Sequence, residues 1–305
     1  MTTGSTRFIK PNFLIIGAAK CGTTSLYHYL RSHPEVFMPE RKEPSFFVPE
    51  AGGFDSWEQY LNLFKKAEGY KRIGEASVSY LMDQSAPQKI KDKLGANIKI
   101  IILLRNPVDM AYSNWGHQTR AGTETLSFLD ALLDENRRLT DPLFKQSCRT
   151  WFYNVTYITR AKYYEQVRRY FDIFDRNNIA IYIFEEFFRP SLPLYPELCK
   201  FLGISDKHCP EEKVHNMAGS VHSIIIRRIL NEKMAWKEPL KLIIPSKLRK
   251  LMMDWLAKYN YKEQALSDLS GETINIIRNN VKDDIYNLAI LINRPDLPEI
   301  WNFEQ

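Results

Sequence analysis

The stretch FLIIGAAKCGTTSLYHYL, Phe13 to Leu30, constrains the fold more than any other part of this sequence. It opens as a continuous apolar run ended by a glycine, the pattern of a strand buried on both faces. Gly17 and Gly22 bracket a short loop, and Leu26, Tyr29 and Leu30 then recur at helical spacing. A strand, a glycine-bracketed turn and a helix in that order make an anion site. The first amides of a helix lack partners within it, and the helix dipole adds positive potential. Amides 20–25 form such a nest of donors, to which Thr23, Thr24 and Ser25 add hydroxyls. In the common nucleotide-binding pattern G-x-x-x-x-G-K-[ST], lysine follows the second glycine. Here Thr23 follows Gly22, and the lysine is Lys20, inside the loop. Its charge is expected over the mouth of the helix, where it can stabilise a leaving group. A plain glycine turn with a surface lysine is the bland alternative.

Beyond this unit the pattern alternates. Pro34 ends the first helix near His33, and a loop rich in Pro and Gly runs from Pro39 to Gly53. SWEQYLNLFKKA reads as a helix capped by Ser56, and YKRIGEASVSYL as a short strand ending near Glu75. APQKIKDKLG is a helix closed by Gly95. IKIIILLRNP is the clearest strand, and Pro107 opens the helix PVDMAYSNWGHQTR. Helical stretches follow at roughly 125–139 and 156–174, then the strand NIAIYIFEE. The remainder from about Leu194 reads as mostly helical, including ETINIIRNNVKDDIYNLAILI. Alternation of apolar strands with helices indicates an α/β protein with a central parallel sheet covered on both faces. No linker divides the 305 residues, so the expectation is one domain, 1–305. In such sheets ligands bind at the carboxyl ends of strands. That rule gathers the loop 17–25, the turn after Glu75 and the turn starting at Arg105.

A nucleotide triphosphatase needs a magnesium ligand, usually an aspartate ending a neighbouring apolar strand. The strand KIIILLRNP ends in Arg105 instead. Arginine cannot hold magnesium, but it can clamp a phosphate bidentately. Ser113, eight residues on, can return a hydroxyl to the same phosphate. The pattern therefore suggests two anion sites made of protein donors, with no metal, as a nucleotide phosphorylated at two positions would require. For Arg105 alone, a structural salt bridge explains the position equally well. Ser77 and Tyr80, just after the second strand, are candidates to line a site for a second ligand, with turn and core roles as the alternative. The aromatics of SNWGHQTR and RTWFYNVTYITR fit a packed core or the wall of a small-molecule pocket.

The net charge of +6 is scattered rather than blocked, so it suits a small anionic ligand as well as a polymer. Cys21, Cys148, Cys199 and Cys209 form no C-x-x-C pair and no zinc spacing, and Cys21 reads as a small loop-packing residue. MTTGSTRFIKPN has no apolar signal segment, and no apolar run is long enough to span a bilayer. A soluble, cytoplasmic protein is expected.

The motifs GAAKCGTTSL (17–26), KEPSFF (42–47), GEASVSYL (74–81) and RNPVDMAYS (105–113) resemble those of the PAPS-dependent sulfotransferase superfamily. Within it the chain looks most like bacterial members related to heparan sulfate sulfotransferases. Weaker agreement continues through AKYYEQVRRYFDIF, IAIYIFEE and CKFLGI, so the resemblance covers most of the chain. It implies a three-layer, P-loop-like α/β/α fold. It also implies transfer of a sulfuryl group from PAPS, leaving PAP, to a hydroxyl or amine without a metal. The acceptor expected is a small natural product or a saccharide, with neither nucleic acid nor a membrane as partner. The family's phosphosulfate loop falls on Ala19, Lys20, Cys21, Gly22, Thr23, Thr24 and Ser25, and its 3′-phosphate pair on Arg105 and Ser113. Its catalytic carboxylate falls on Glu43, which would also face the acceptor; His117 is the second candidate base. Lys42 precedes Glu43 and Phe46 and Phe47 follow it, the latter two expected to pack and aim the loop. The family's later basic loop corresponds to HNMAGSVHS (215–223), which keeps Gly219 without an adjacent Lys or Arg. Two rivals remain: a P-loop kinase or NTPase, and a polyanion-binding protein, which would need a dense basic stripe.

Overall fold

A computed structural model describes residues 8–208, 210, 219–221, 261–263 and 269–303. Five strands form one all-parallel sheet: β1 (Phe13–Gly17), β2 (Val36–Phe37), β3 (Arg72–Ala76), β4 (Lys99–Leu104) and β5 (Ile179–Ile183). Their spatial order is β2-β3-β1-β4-β5. Phe13 through Ile16 and Ile100 through Leu104 have no solvent exposure, which is why these runs are apolar without alternation. Each such side chain stabilises the fold by about 1.5–3 kcal/mol. Phe13 pairs with Gly74 in register, and a Cβ at Gly74 would lie 2.2 Å from the Phe13 ring. Glycine at that position is therefore a packing requirement of the β1–β3 pair.

The chain leaves β1 toward β3 and β2 on one side, then crosses to β4 and β5 on the other. The carboxyl end of β1 is thus the topological switch point, the place where open parallel sheets take ligands. Helix Thr23–Arg31 follows β1, Ala86–Leu94 precedes β4, Pro107–Ala121 follows it, and Tyr164–Ile173 precedes β5. No described helix is long and apolar enough to cross a membrane.

The chain divides into two compact units. The first comprises Met1–Met110, Arg160–Asn216 and Arg278–Gln305 and holds the five-stranded sheet; the second comprises Ala111–Thr159 and Met217–Ile277. The sequence carries no linker signal for this division. The crossings at 110/111, 159/160 and 277/278 all fall inside helices.

In the second unit, Arg138 and Glu124 form a buried ion pair at 2.7 Å, and Tyr157 donates to the same carboxylate at 2.8 Å. Tyr112 stacks on Trp115 and both rings meet Phe128, with Tyr112 and Phe128 buried and Trp115 half-buried.

Several elements differ from expectation. The stretch near 125–139 is not one helix but Phe128–Leu133 and Glu135–Thr140, followed by Pro142–Ser147. Ser127 accepts the Asp130 amide and Asp141 the Leu143 amide, and such caps start new helices. The stretch near 156–174 splits into Tyr157–Ala161 and Tyr164–Ile173. Glu135 accepts the amides of Ile158 and Thr159, and Asp284 accepts that of Tyr164, so distant carboxylates cap both pieces. The edge strand β2 is too short to show a period. Gly219–Val221 pairs antiparallel with Tyr261–Glu263 where helix was expected; most of the sequence around them lies outside the described residues.

Candidate active site

The loop after β1 is fastened to β4 by the Ala18 amide, which donates to the Leu103 carbonyl at 2.6 Å. Lys20 adopts a left-handed conformation (φ 64°), and Gly22 (φ 85°) caps helix Thr23–Arg31. A Cβ on Gly22 would lie 2.2 Å from the Phe188 ring and 3.1 Å from Phe184, so only glycine lets the loop close there. Thr23 and Ser25 are buried, and Thr24 is half-buried. Cys21 is buried with Sγ 3.9 Å from the Tyr163 hydroxyl, and burial pushes its thiol up to about 12. That side chain packs the loop and is no nucleophile near neutral pH.

Arg105 ends β4 beside this loop. Its guanidinium lies 4.6 Å over the Phe184 ring; Nη1 donates to the Lys20 carbonyl at 3.4 Å and Nη2 to Asp109 at 3.4 Å. The Asp109 pair is the salt bridge weighed against a ligand contact. It is long, and Arg105 Nε is buried without a partner while the side chain stays 21% exposed. A buried donor left unpaired is costly, so a fork with unspent donors beside an amide nest fits a phosphate group. Among the described residues, no three His, Cys, Asp or Glu side chains gather as a metal site.

The loop carrying Glu43 lies over the end of β3. Glu43 donates its amide to the Ala76 carbonyl at 2.9 Å, and its Oε2 accepts the Val78 amide at 2.8 Å. The Lys42 ammonium pairs with Oε1. Glu43 (φ 57°) and Ser45 (φ 48°) are left-handed, like Lys20. Such strained non-glycine conformations cost about 1–3 kcal/mol each and cluster at functional sites. Phe46 stacks on Tyr60 at 4.9 Å, and Phe47 is buried against Tyr80, so the two aromatics seat the loop.

Beneath the loop lies Glu75, fully buried. It accepts from the Ser77 hydroxyl at 2.8 Å and the Tyr60 hydroxyl at 3.3 Å, while Ser77 Oγ accepts the Ser45 amide at 3.0 Å. Burial pushes the Glu75 carboxyl up to about 8, opposed by its hydroxyl partners and helped by the charge of Glu43. Ser77 and Tyr80 are both completely buried. Both lie under the Glu43 loop, Ser77 bonded to the Ser45 amide and Tyr80 packed against Phe47. Arg160 is also buried, and burial pulls its guanidinium down to about 10 against the opposing pull of Glu43 and Cys21.

The histidines separate cleanly. His33 is buried, with Nε2 donating to the Ser205 carbonyl at 2.8 Å and Nδ1 accepting the Glu35 amide at 3.1 Å, a structural pair. His28 is half-buried on the first helix, its ring edge-on to Tyr27. Ser113, buried, and His117, exposed, lie on helix Pro107–Ala121 in the second unit. Gly219 begins the short strand of that unit; the rest of 215–223 apart from Ser220 and Val221 lies outside the described residues. The structure thus brings together Lys20 and Arg105 on one side, and Glu43, Glu75 and Ser77 on the other, all within the first unit.

Residues 10–232 match the family described as sulfotransferase domain. The chain belongs to the sulfotransferase family. A crystal structure of a sulfotransferase from Alicyclobacillus acidocaldarius is similar at 28% identity and a TM-score of 0.68, covering 96% of this chain and 99% of that one. Carbohydrate sulfotransferase 15 of Homo sapiens is 29% identical over 190 residues, 48% of this chain and 34% of that protein. Heparan sulfate glucosamine 3-O-sulfotransferase 6 of Mus musculus is 34% identical over 129 residues, 42% of this chain and 36% of that protein. The chain spans about a third of the length of these two curated relatives. The α/β fold, with its five parallel strands and flanking helices, is the one expected of a sulfotransferase.

Sequence reasoning missed several residues of this sulfotransferase fold that touch the candidate site. Glu75 carried a signal: an acid inside an otherwise buried strand pattern. Tyr163, Glu185 and Trp301 carried none, because they reach the turn after β4 from segments distant in sequence.

Proposed function

We propose that this protein transfers a sulfuryl group from PAPS to a hydroxyl or amine of a saccharide or small-molecule acceptor. The observation that carries this reading is Arg105, a guanidinium with a buried, unspent Nε at the end of β4, beside a glycine-bracketed loop whose lysine lies within the loop. A kinase or NTPase would carry an aspartate at the end of that strand for magnesium. When bound, PAPS supplies the sulfuryl group. The amides from Lys20 to Ser25, with the hydroxyls of Thr23, Thr24 and Ser25, hold the 5′ phosphate end. Arg105 takes the 3′-phosphate with its fork. Lys20 balances the negative charge that develops on the leaving phosphate. Glu43 accepts the acceptor's proton on its carboxylate. Ser113, His117 and Gly219 belong to the second unit, and their assignments rest on the sequence motifs. The names of two relatives, a carbohydrate and a heparan sulfate glucosamine sulfotransferase, support a saccharide as the acceptor.

The test combines thermal shift with product detection. PAP is expected to raise the melting temperature, and ATP with magnesium to leave it unchanged. Incubation with PAPS and a panel of saccharide and small-molecule acceptors should then add one SO3 unit to a product by mass spectrometry. Stabilisation by ATP with magnesium but not by PAP would overturn PAPS as the donor.

A further inference from the structure

The turn after β4 is held from separate parts of the chain. Tyr163 donates its hydroxyl to the Arg105 carbonyl at 3.0 Å. The next amide, that of Asn106, donates to Glu185 Oε1 at 2.9 Å. Asn106 Nδ2 donates to the Trp301 carbonyl at 3.0 Å, and Trp301 Nε1 donates to Glu185 Oε2 at 3.0 Å. These bonds close a ring from Asn106 to Glu185 to Trp301 and back. Asn106 Oδ1 accepts the Val108 amide at 3.0 Å, so one polar end of its side chain is used within the turn and the other on Trp301. Trp301 is fully buried, its ring 6.0 Å from that of Tyr163.

Glu185 adjoins Phe184, whose ring lies under the Arg105 guanidinium. One short helix, Phe184–Phe187, therefore carries both the face that supports the guanidinium and the carboxylate that fixes the backbone beside it. Glu186, the next residue, accepts from Arg294 at 2.8 and 3.0 Å, which fastens the C-terminal segment a second time. Trp301 lies outside residues 10–232, the span that matches the family.

We propose that Trp301, acting through Glu185 and Asn106, is a positioning residue for Arg105 and sets selectivity for a nucleotide bearing a 3′-phosphate. The proposal rests on the reading of Arg105 as the group that takes that phosphate. A guanidinium makes two parallel bonds to a phosphate only while its plane is held; a tilt keeps the charge and loses the second bond. The ring of hydrogen bonds fixes the backbone from which Arg105 projects, and the Phe184 ring fixes the plane.

The test is calorimetric binding of PAP and of AMP, which lacks the 3′-phosphate. Four proteins are compared: wild type, Arg105→Ala, Trp301→Phe and Glu185→Gln. Trp301→Phe keeps an aromatic ring and removes the indole N–H; Glu185→Gln is nearly isosteric and replaces one acceptor oxygen by a donor. Wild type should prefer PAP, and Arg105→Ala should lose that preference. Trp301→Phe and Glu185→Gln should each lower the preference by roughly tenfold, the value of one hydrogen bond to a charged group, with AMP affinity unchanged. Should Trp301→Phe fail to fold, Glu185→Gln carries the comparison alone. A wild-type PAP-to-AMP ratio in the folded variants, alongside its loss in Arg105→Ala, would leave the Arg105 reading standing and overturn the role of Trp301. Equal loss of PAP and AMP affinity would also overturn it, since that is general loosening. A wild type that binds both nucleotides alike removes the Arg105 reading and this proposal with it.

Discussion

The Val78 amide donates to Glu43 Oε2 at 2.8 Å, so the backbone leaving β3 holds one oxygen of the candidate base. The Lys42 ammonium holds the other. Glutamine at position 43 keeps an oxygen for Val78 and loses both the negative charge and the basicity. Glu43→Gln is therefore expected to bind PAP as wild type does and to lose turnover by on the order of a hundredfold or more. Calorimetry and a sulfuryl-transfer assay on the same preparation check this. Wild-type turnover in the variant would move the base elsewhere, first to His117.

Lys20 sits within the loop in a left-handed conformation, and its carbonyl accepts from Arg105. Lys20→Ala removes the charge without touching that backbone contact. Turnover at saturating donor should fall by about a hundredfold, the usual cost of one well-placed electrostatic group, with a smaller change in PAP affinity. Full turnover at saturating PAPS would reduce Lys20 to part of the loop surface.

Arg105→Ala should weaken PAP by roughly ten- to a hundredfold while leaving AMP nearly unchanged, because only PAP carries a 3′-phosphate. Added chelator is expected to change neither binding nor transfer. A strict requirement for magnesium would contradict the assignment of this site to PAPS.

Glu75 makes a prediction about stability and pH. Burial holds its carboxyl at about 8 in the folded chain, above the ordinary value of 4.5. Between those two values the folded state keeps a proton that the unfolded state has released, so stability falls as pH rises across that range. The contribution is full below the ordinary value and is lost as pH passes through about 8. Glu75→Gln resembles the protonated acid and does not titrate. Urea midpoints should show the variant gaining on wild type from pH 5 to pH 9; a constant difference between the two would mean that Glu75 does not titrate in this range.

Much of the candidate site was legible because its signals are local. Gly17, Gly22 and the lysine between them lie within a few residues, and the conformation they serve is set by backbone sterics. Arg105 was legible from its place at the end of an apolar run, and Ser56 and Gly95 from capping chemistry. For Ser77 and Tyr80, position after a strand says where a side chain begins, not which way it turns. Both turn inward, Ser77 to Glu75 and Tyr80 against Phe47.

By itself, then, the sequence determined the parallel α/β architecture, the glycine-bracketed loop at the carboxyl end of β1 and the guanidinium at the end of β4. Each follows from periodicity, glycine geometry or charge within a dozen residues. Only the tertiary structure decided which carboxyl groups lie buried, that the Glu43 loop rests on Glu75 through Ser77, and that Asn106 meets Trp301 across 195 residues of chain. It also decided that the chain divides into two compact units, with the crossings at 110/111, 159/160 and 277/278 inside helices. Such contacts arise from close packing of segments remote in sequence, and no local pattern of residues encodes which remote segment will supply the partner.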